Sequence, residues 1–244
     1  MKLELKEHTK VELKPIKMNC DVKLHSKLDE TELTKEFFNK TNFTIIVGKQ
    51  GSGKSTFTLG FIKKLYKKVF NNVIFVMPPT SRNSVDDNIF DSLGEDKIHD
   101  ELDEETMDFI YDMVKEDAED GMNSLLILDD VQRQLKNKNI LKNFKRVVAN
   151  MRHLKTTTFC IVQNYNALDK SLRLLASNII CFGNLGNSQF ETIREEHLNM
   201  SQEDFNKIRK FAFKEQHDWI LINAGSERIF SKFDEIIYTQ EGDN

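Results

Sequence analysis

One stretch of the chain has glycines and a lysine at the spacing of a phosphate-binding loop. Residues 48–55 read GKQGSGKS, which fits the pattern G-x-x-x-x-G-K-[ST]. The three glycines let successive backbone N–H groups point at a phosphate, at the positive end of the following helix. Lys54 can then reach the β- and γ-phosphates, and the Ser55 hydroxyl can bind Mg²⁺. The expected nucleotide-binding residues are Gly48, Gln50, Gly51, Ser52, Gly53, Lys54, Ser55 and Thr56.

The residues on either side of this loop support a nucleotide site. FTIIV before the loop predicts a buried strand, and STFTLGFIKKLYKK after it predicts an amphipathic helix. A glycine turn at the surface would not need both. A GTP site would normally show N-K-x-D after a strand, which QNYNALDK at 163–170 does not supply. The expected cofactors are therefore ATP and Mg²⁺.

An acidic pair follows a second apolar run. Residues 125–128 read LLIL and are followed by Asp129 and Asp130. Asp129 is predicted to bind the metal together with Ser55. Asp130 is placed to orient or deprotonate a water that attacks the γ-phosphate, which favours hydrolysis over transfer to an acceptor. The alternative is that Asp130 only caps the next helix.

A polar residue also ends a third apolar run. The run at 73–77 lies between the loop and the acidic pair in sequence, so the strands before the loop and before the pair are not expected to be neighbours. The run at 157–162, TTFCIV, is the candidate for the strand between them. Gln163 follows it and is predicted to sense the γ-phosphate, the alternative being a simple polar strand end.

Three arginines are candidates for a cation that stabilises the transition state: Arg146, Arg152 and Arg173. Arg152 comes just before the central strand, away from the phosphate end of its own sheet. It could therefore reach only the nucleotide of a neighbouring subunit in a ring. Arg173 is the second choice, and His153 has no visible partner that would make it a base.

The apolar runs predict the fold class. They lie at 43–47, 73–77, 125–128, 157–162, 178–182 and 219–222, with separators long enough for crossover helices. Unbroken runs rich in Ile and Val are typical of strands buried on both faces. The prediction is an α/β fold, a mostly parallel sheet flanked by helices. Residues 1–40 are expected to be a short strand and helix extension, its helix starting near Asp29, and residues 41–244 the ATPase domain.

Composition excludes several classes of protein. The chain has 244 residues, 39% hydrophobic and 30% charged, which argues against a disordered or collagen-like chain. No apolar run approaches the length that spans a bilayer, and none follows Met1, so a soluble, unprocessed protein is expected. Cys20, Cys160 and Cys181 are too widely spaced for a zinc site or disulfide framework, which predicts core cysteines in a reducing compartment.

Charge is segregated although the net charge is only 35 − 39 = −4. Residues 95–120 hold 13 acids and two lysines, whereas 131–155 hold eight Lys/Arg and no acid. Either segment could be a solvated helix face. The acidic one could instead repel DNA or bind a partner. The basic one follows the acidic pair and could contact DNA phosphates without reading sequence, through Lys136, Lys138, Lys142 and Lys145.

Together these motifs resemble a known family. GKQGSGKST, LLILDD, RHLKTTTFCIVQNY and LRLLASNIICFG, within about residues 42–185, are similar to the DNA-packaging ATPases of the FtsK/HerA superfamily, of the poxvirus and virophage kind. The resemblance implies an additional-strand, RecA-like P-loop fold. It implies a homo-oligomeric ring, with a hexamer expected, that pumps double-stranded DNA into a preformed capsid. Capsid portal or vertex proteins would be partners, in the virion or the viral factory of the host cytoplasm.

The resemblance also implies roles for single residues. Lys54 and Ser55 would serve the nucleotide and metal, Asp129 the metal and Asp130 the water. Gln163 would be the sensor and Arg152 the arginine finger. The departure is that many members carry Glu where this chain has Asp130. A helicase of the same superfamily, a kinase and a slow nucleotide-dependent switch are the competing hypotheses; a kinase would lack the water-directed carboxylate.

Overall fold

The computed structural model describes residues 3–6, 38, 41–66, 69–83, 90 and 93–238. The strands within these residues are β1 (Leu3–Lys6), β2 (Phe43–Val47), β3 (Asn72–Val76), β4 (Ile98–His99), β5 (Ser124–Asp129), β6 (Thr156–Val162), β7 (Asn178–Phe182), β8 (Trp219–Asn223), β9 (Ile229–Ser231) and β10 (Asp234–Tyr238). The helices are α1 (Lys54–Leu65), α2 (Pro79–Asn83), α3 (Glu104–Glu119), α4 (Lys138–Ala149), α5 (Lys170–Arg173), α6 (Asn187–His197) and α7 (Gln202–Ala212).

All ten strands belong to one sheet, in the order β1-β10-β9-β8-β7-β2-β6-β5-β3-β4. From β7 to β4 the neighbours are parallel, which confirms the predicted mostly parallel α/β fold. Strand β6 lies between β2 and β5, as predicted from the order of the apolar runs. The phosphate-binding loop and the acidic pair therefore both lie at the carboxyl ends of the parallel strands, with the end of β6 between them.

The other side of the sheet is antiparallel. Strand β8 pairs with β7, then β9, β10 and β1 follow in antiparallel order. The apolar run at 219–222 predicts β8, but β4, β9 and β10 are too short or too mixed in polarity to be predicted from the sequence. Strand β1 joins the sheet edge from within residues 1–40. The helix expected near Asp29 lies outside the described residues.

Helices cover both faces of the sheet because the parallel strands are apolar on both sides. Phe43, Ile45 and Val47 of β2 point to one face, where they join a core with α3, α4, α6 and α7. Ile46 points to the opposite face and packs with α1. There Phe57 lies 4.7 Å from Trp219 between ring centroids, which ties α1 to β8. The helix that follows the phosphate-binding loop is thus fixed on both the parallel and the antiparallel strands.

Two further features concern the cysteines and the membrane. Cys160 and Cys181 are buried with free thiols in the central strands, and burial raises the pKa of both. Cys20 lies outside the described residues. Within the ranges given above, the longest helices are too short and too polar to cross a bilayer.

Candidate active site

The loop between β2 and α1 has the geometry of a phosphate cradle. Gly51 and Gly53 have φ angles of 73° and 96°, in the left-handed region that favours glycine. At Gly48 a Cβ atom would lie 2.5 Å from the Ser52 Oγ and 2.9 Å from the Phe182 Cβ. Two of the glycines are therefore required by backbone angle and the third by the close approach of its neighbours.

Lys54 begins α1 and lies beneath this loop. Its Nζ donates hydrogen bonds to the carbonyl oxygens of Gly48, at 2.6 Å, and Lys49, at 3.0 Å. Burial lowers the pKa of Lys54, and the opposing influence of Asp129 and Asp130 favours its charged form. The loop borders a cleft of about 520 Å³ that contains the predicted metal and sensor residues and all of the predicted nucleotide-binding residues except Gly48. The cleft is lined by Gln50, Gly51, Ser52, Gly53, Lys54, Ser55, Thr56, Thr80, Ser81, Asp129, Asp130, Ile161, Val162, Gln163 and His217.

Ser55 and Asp129 are placed as a metal-binding pair. The Ser55 Oγ donates to the Asp129 Oδ2 at 3.4 Å, although the two residues are 74 positions apart in sequence. Asp129 is 5% exposed, and burial together with the nearby Asp130 raises its pKa to about 6. A hydroxyl and a carboxylate beside a phosphate cradle fit Mg²⁺, which binds few protein ligands and takes the rest from phosphates and water. Cation binding would also relieve the cost of burying this carboxylate.

Asp130 and Gln163 meet at the open end of the cleft. Asp130 follows β5 with a φ of 56°, a conformation that Asp tolerates better than most residues. Its Oδ1 accepts a hydrogen bond of 3.2 Å from the Gln163 Nε2. The alternative role as a helix cap is wrong, because Asn137 caps α4 through the N–H groups of Asn139 and Ile140. Asp130 is therefore free to face a ligand in the cleft.

His217 lines the same cleft and is not predicted from the sequence. It lies in the loop between α7 and β8, and its Nδ1 is 2.9 Å from the Ser52 carbonyl oxygen. Because a carbonyl can only accept, Nδ1 carries the hydrogen. The two residues are 165 positions apart. His217 belongs to no motif, so nothing short of the fold could have paired it with the phosphate-binding loop.

The three candidate arginines lie elsewhere. Arg152 is exposed in the turn before β6, at the opposite end of that strand from Gln163. Arg146 donates to the Tyr111 hydroxyl and lies 4.3 Å from the centre of that ring. Neither arginine enters the cleft of its own chain, as the sequence reasoning expects for Arg152.

Arg173 corrects the second choice for an arginine finger. Its guanidinium binds both carboxylate oxygens of Glu196, at 2.9 and 2.6 Å, and donates to the Leu168 carbonyl at 2.8 Å. The Arg173 and Glu196 side chains are only 10% and 9% exposed. Releasing this arginine to a neighbouring subunit would leave a buried carboxylate unpaired, which is strongly unfavourable. Arg173 is therefore a structural residue.

The basic segment, residues 131–155, forms α4 and the turns before and after it. Lys136, Lys138 and Lys142 are exposed, whereas Lys145 makes an ion pair of 2.8 Å with Asp169. The acidic helix α3 packs beside α4, and carboxylates of α3 accept hydrogen bonds from asparagines of α4. Examples are Glu104 with Asn139 and Asp108 with Asn143. Lys136, Lys138 and Lys142 thus remain exposed beside the contact between α3 and α4.

Solved structures share this fold. The chain is similar to B204, described as the DNA-packaging ATPase of Sulfolobus turreted icosahedral virus, with a TM-score of 0.60 and 16% identity over 82% of this chain and 98% of that one. It is also similar to B204 of Sulfolobus turreted icosahedral virus 2, described as a genome packaging NTPase in complex with ATP-gammaS. That match has a TM-score of 0.62 and 14% identity over 83% of this chain and 99% of the other.

Sequence comparison identifies the family. No curated protein matches the chain. A family model described as the poxvirus A32 protein matches residues 26–243, which includes every residue of the cleft. This match confirms the resemblance to packaging ATPases of the poxvirus kind. The chain belongs to the poxvirus A32 protein family.

Proposed function

We propose that this chain is an ATP-hydrolysing motor that moves double-stranded DNA into a viral capsid. The observation that carries the proposal is the Asp130–Gln163 pair at the open end of a phosphate cradle, next to the Ser55–Asp129 pair. A kinase needs an acceptor at that position, whereas a carboxylate and an amide are suited to a water. The family and the similarity to two packaging NTPases support the choice of DNA as the load.

Binding of ATP uses the cradle and Lys54. The N–H groups of residues 50–56 surround the phosphates at the amino end of α1, whose dipole favours negative charge. The Lys54 ammonium exchanges the carbonyls of Gly48 and Lys49 for the β- and γ-phosphate oxygens. Ser55 and Asp129 would hold Mg²⁺, which when bound would neutralise charge on the phosphates.

Hydrolysis uses the pair at the open end of the cleft. Asp130 accepts a hydrogen bond from the attacking water and takes its proton as the water oxygen bonds to the γ-phosphorus. The bond between the γ-phosphorus and the bridging oxygen breaks, and that oxygen leaves with ADP. The Gln163 amide holds the Asp130 carboxylate and contacts the γ-phosphate, so it reports whether that phosphate is present. Because Asp reaches less far than Glu, slow hydrolysis by a nucleotide-dependent switch is the second candidate function.

If each ATP site is completed by a residue of the neighbouring subunit, the motor is a ring. Among the described residues that line the cleft, Lys54 is the only lysine or arginine. Arg152 lies at the other end of β6 from the cleft, so that in a ring the Arg152 of one subunit could reach the nucleotide bound by its neighbour. A hexamer that docks on capsid portal or vertex proteins, in the host cytoplasm or the virion, is the assembly that we propose.

Steady-state ATP turnover of the wild type, Lys54→Ala and Lys210→Ala tests the enzymatic part. Lys210 is an exposed lysine of α7, so its variant is a control for the loss of one charge. Lys54→Ala is expected to lower turnover by on the order of 10²–10³ or more, and Lys210→Ala to leave it unchanged. Equal turnover in all three proteins would contradict the proposed function.

A further inference from the structure

A wall of the cleft that the proposed hydrolysis does not use carries two hydroxyl groups. Thr80 and Ser81 line the cleft there. They belong to α2, the short helix that follows β3, and Thr80 is exposed while Ser81 is partly buried. A hydroxyl can both donate and accept hydrogen bonds, so it suits a ligand that presents hydrogens and negative oxygens together. A water beside a phosphate is such a ligand.

The pairing of the strands places this wall beside Asp130. Strand β3 runs parallel to β5, and its last residue, Val76, lies opposite Leu128. The chain after β3 therefore leaves the sheet next to the acidic pair. Strand β6, which ends just before Gln163, lies on the other side of β5. Because neighbouring strands are about 4.8 Å apart, Asp130 lies in a row between Gln163 and α2.

The wall is held in position by its own chain. The carbonyl oxygen of Pro78 accepts hydrogen bonds from the N–H groups of Ser81, at 2.9 Å, and Arg82, at 3.0 Å. The Arg82 guanidinium pairs with the carboxylate of Asp100, directly after β4, at 3.0 Å. The fixed φ of Pro78 and of the proline after it restricts the turn further. These contacts hold the backbone that carries Thr80 at the edge of the cleft.

An attacking water needs more than one acceptor to be held in one orientation. The Asp130 Oδ1 accepts from the Gln163 Nε2 at 3.2 Å, which leaves the lone pairs of Oδ2 for the water. A water held by a single hydrogen bond turns about that bond. A second acceptor would hold the other hydrogen and direct a lone pair of the water oxygen at the γ-phosphorus, which is the orientation that the reaction requires.

We infer that the Thr80 hydroxyl is this second acceptor, and that the attacking water is held between Thr80 and Asp130. The inference rests on the proposed function, because it adds a residue to the same hydrolysis. The water donates one hydrogen to the Asp130 carboxylate and the other to the Thr80 Oγ1, whose own hydrogen bonds to a γ-phosphate oxygen. As the water oxygen bonds to the γ-phosphorus, Asp130 takes the first hydrogen as a proton. The second hydrogen stays on that oxygen, Thr80 keeps its own, and the bridging oxygen leaves with ADP.

The test separates the position of the water from the binding of the nucleotide. Thr80→Val keeps the branched shape of the side chain and removes the hydroxyl, whereas Thr80→Ser keeps the hydroxyl. Thr192→Val is the matched control, because the Thr192 hydroxyl bonds to the Ser188 carbonyl within α6 and lies outside the lining of the cleft. Thermal melts check that each variant folds.

Each protein is assayed for ATP turnover and, by calorimetry, for affinity toward two ligands with Mg²⁺. The first ligand is the β,γ-methylene analogue of ATP, which imitates the state before attack. The second is ADP with aluminium fluoride, which imitates the γ-phosphoryl group with the attacking water in line. A residue that holds this water affects the second ligand more than the first.

Thr80→Val is expected to lower ATP turnover, and the affinity for ADP with aluminium fluoride, on the order of 10- to 100-fold, as the loss of one hydrogen bond among charged groups predicts. Affinity for the β,γ-methylene analogue should stay within about threefold. Thr80→Ser should keep turnover within about threefold of the wild type, and Thr192→Val should change nothing.

Wild-type turnover in Thr80→Val would remove Thr80 from the reaction. An equal loss of affinity for the two ligands would also overturn the inference, because it indicates a role in nucleotide binding alone, as would a Thr80→Ser variant as slow as Thr80→Val. A wild type that neither binds the β,γ-methylene analogue nor hydrolyses ATP would instead contradict the proposed function, and the role of Thr80 with it.

Discussion

Asp129 and Asp130 are adjacent in sequence, but the fold gives their carboxylates different surroundings. Asp129 is buried beside Ser55, and its pKa is raised to about 6. Asp130 is turned outward by its positive φ and bonds to Gln163. The proposed metal ligand and the proposed partner of the attacking water are thus adjacent in sequence but differ in burial and in hydrogen-bond partner.

Because the Asp129 carboxylate is buried, we expect that an uncharged side chain at this position stabilises the folded protein. Folding raises its pKa from 3.8 to about 6, so its favourable contribution is complete below 3.8 and is lost as the pH rises through 6. Asp129→Asn should therefore raise the free energy of unfolding at pH 8 by about 1–3 kcal/mol and change it little at pH 4. Urea denaturation at the two pH values measures this, with Asp112→Asn on the exposed face of α3 as control. A destabilised Asp129→Asn at pH 8 would contradict the account.

Asp130→Asn tests the acid that faces the water. Asn also tolerates the left-handed conformation and keeps a polar partner for Gln163, so folding should be unaffected. We expect ATP turnover to fall by on the order of 10²–10⁴ while the affinity for the β,γ-methylene analogue of ATP stays within about threefold. Turnover at the wild-type rate would remove Asp130 from the mechanism.

Among the helices, the acidic and basic segments of the sequence form two neighbours, α3 and α4. The acidic helix α3 packs against α4, where its carboxylates bind asparagines and its Tyr111 binds Arg146. Lys138 and Lys142 lie on another, exposed face of α4. The sequence predicts two charged helices but not this division, because which charges face each other depends on how the helices pack.

The exposed lysines of α4 make a prediction about DNA. If they contact phosphates, Lys138→Ala and Lys142→Ala should each weaken binding to double-stranded DNA of any sequence. Each should also reduce the slope of log affinity against log salt by about 0.9. Fluorescence anisotropy over a salt series measures the slope. Lys210→Ala on α7 is the control, and a slope that is the same in all four proteins would show that α4 does not contact DNA.

Across the whole molecule, the parallel strands other than β4 could be predicted because each of them is an unbroken apolar run. The place of β6 between β2 and β5 followed from the insertion of the 73–77 run between the two motifs, whereas the places of β3, β4 and β7 were not predicted. On the antiparallel side, the run at 219–222 predicts β8 and a short strand is expected within residues 1–40, whereas β9 and β10 escaped prediction because they are short and mixed in polarity. His217 and the pairing of Arg173 with Glu196 also escaped, because each contact joins elements that only the finished sheet brings together.

The sheet also separates the cleft from Arg152, at opposite ends of β6. A ring with shared sites predicts that two inactive variants restore each other. Arg152→Ala keeps an intact cleft, and Lys54→Ala keeps an intact arginine. Mixed in equal amounts, they should recover about a quarter of the wild-type ATP turnover, because about that share of interfaces combines both intact parts. If the two variants are shown to assemble in the same rings and no ATP turnover is recovered, Arg152 is not the arginine that completes the neighbouring site.

Coupling of ATP hydrolysis to DNA is what distinguishes a DNA motor from a nucleotide-dependent switch. ATP turnover of the wild type is measured with and without long double-stranded DNA, beside Lys54→Ala and Lys142→Ala. The account predicts that DNA stimulates the wild type, that Lys142→Ala needs more DNA for the same stimulation, and that Lys54→Ala stays inactive. Robust turnover that DNA does not change would contradict a DNA motor and favour the slow nucleotide switch.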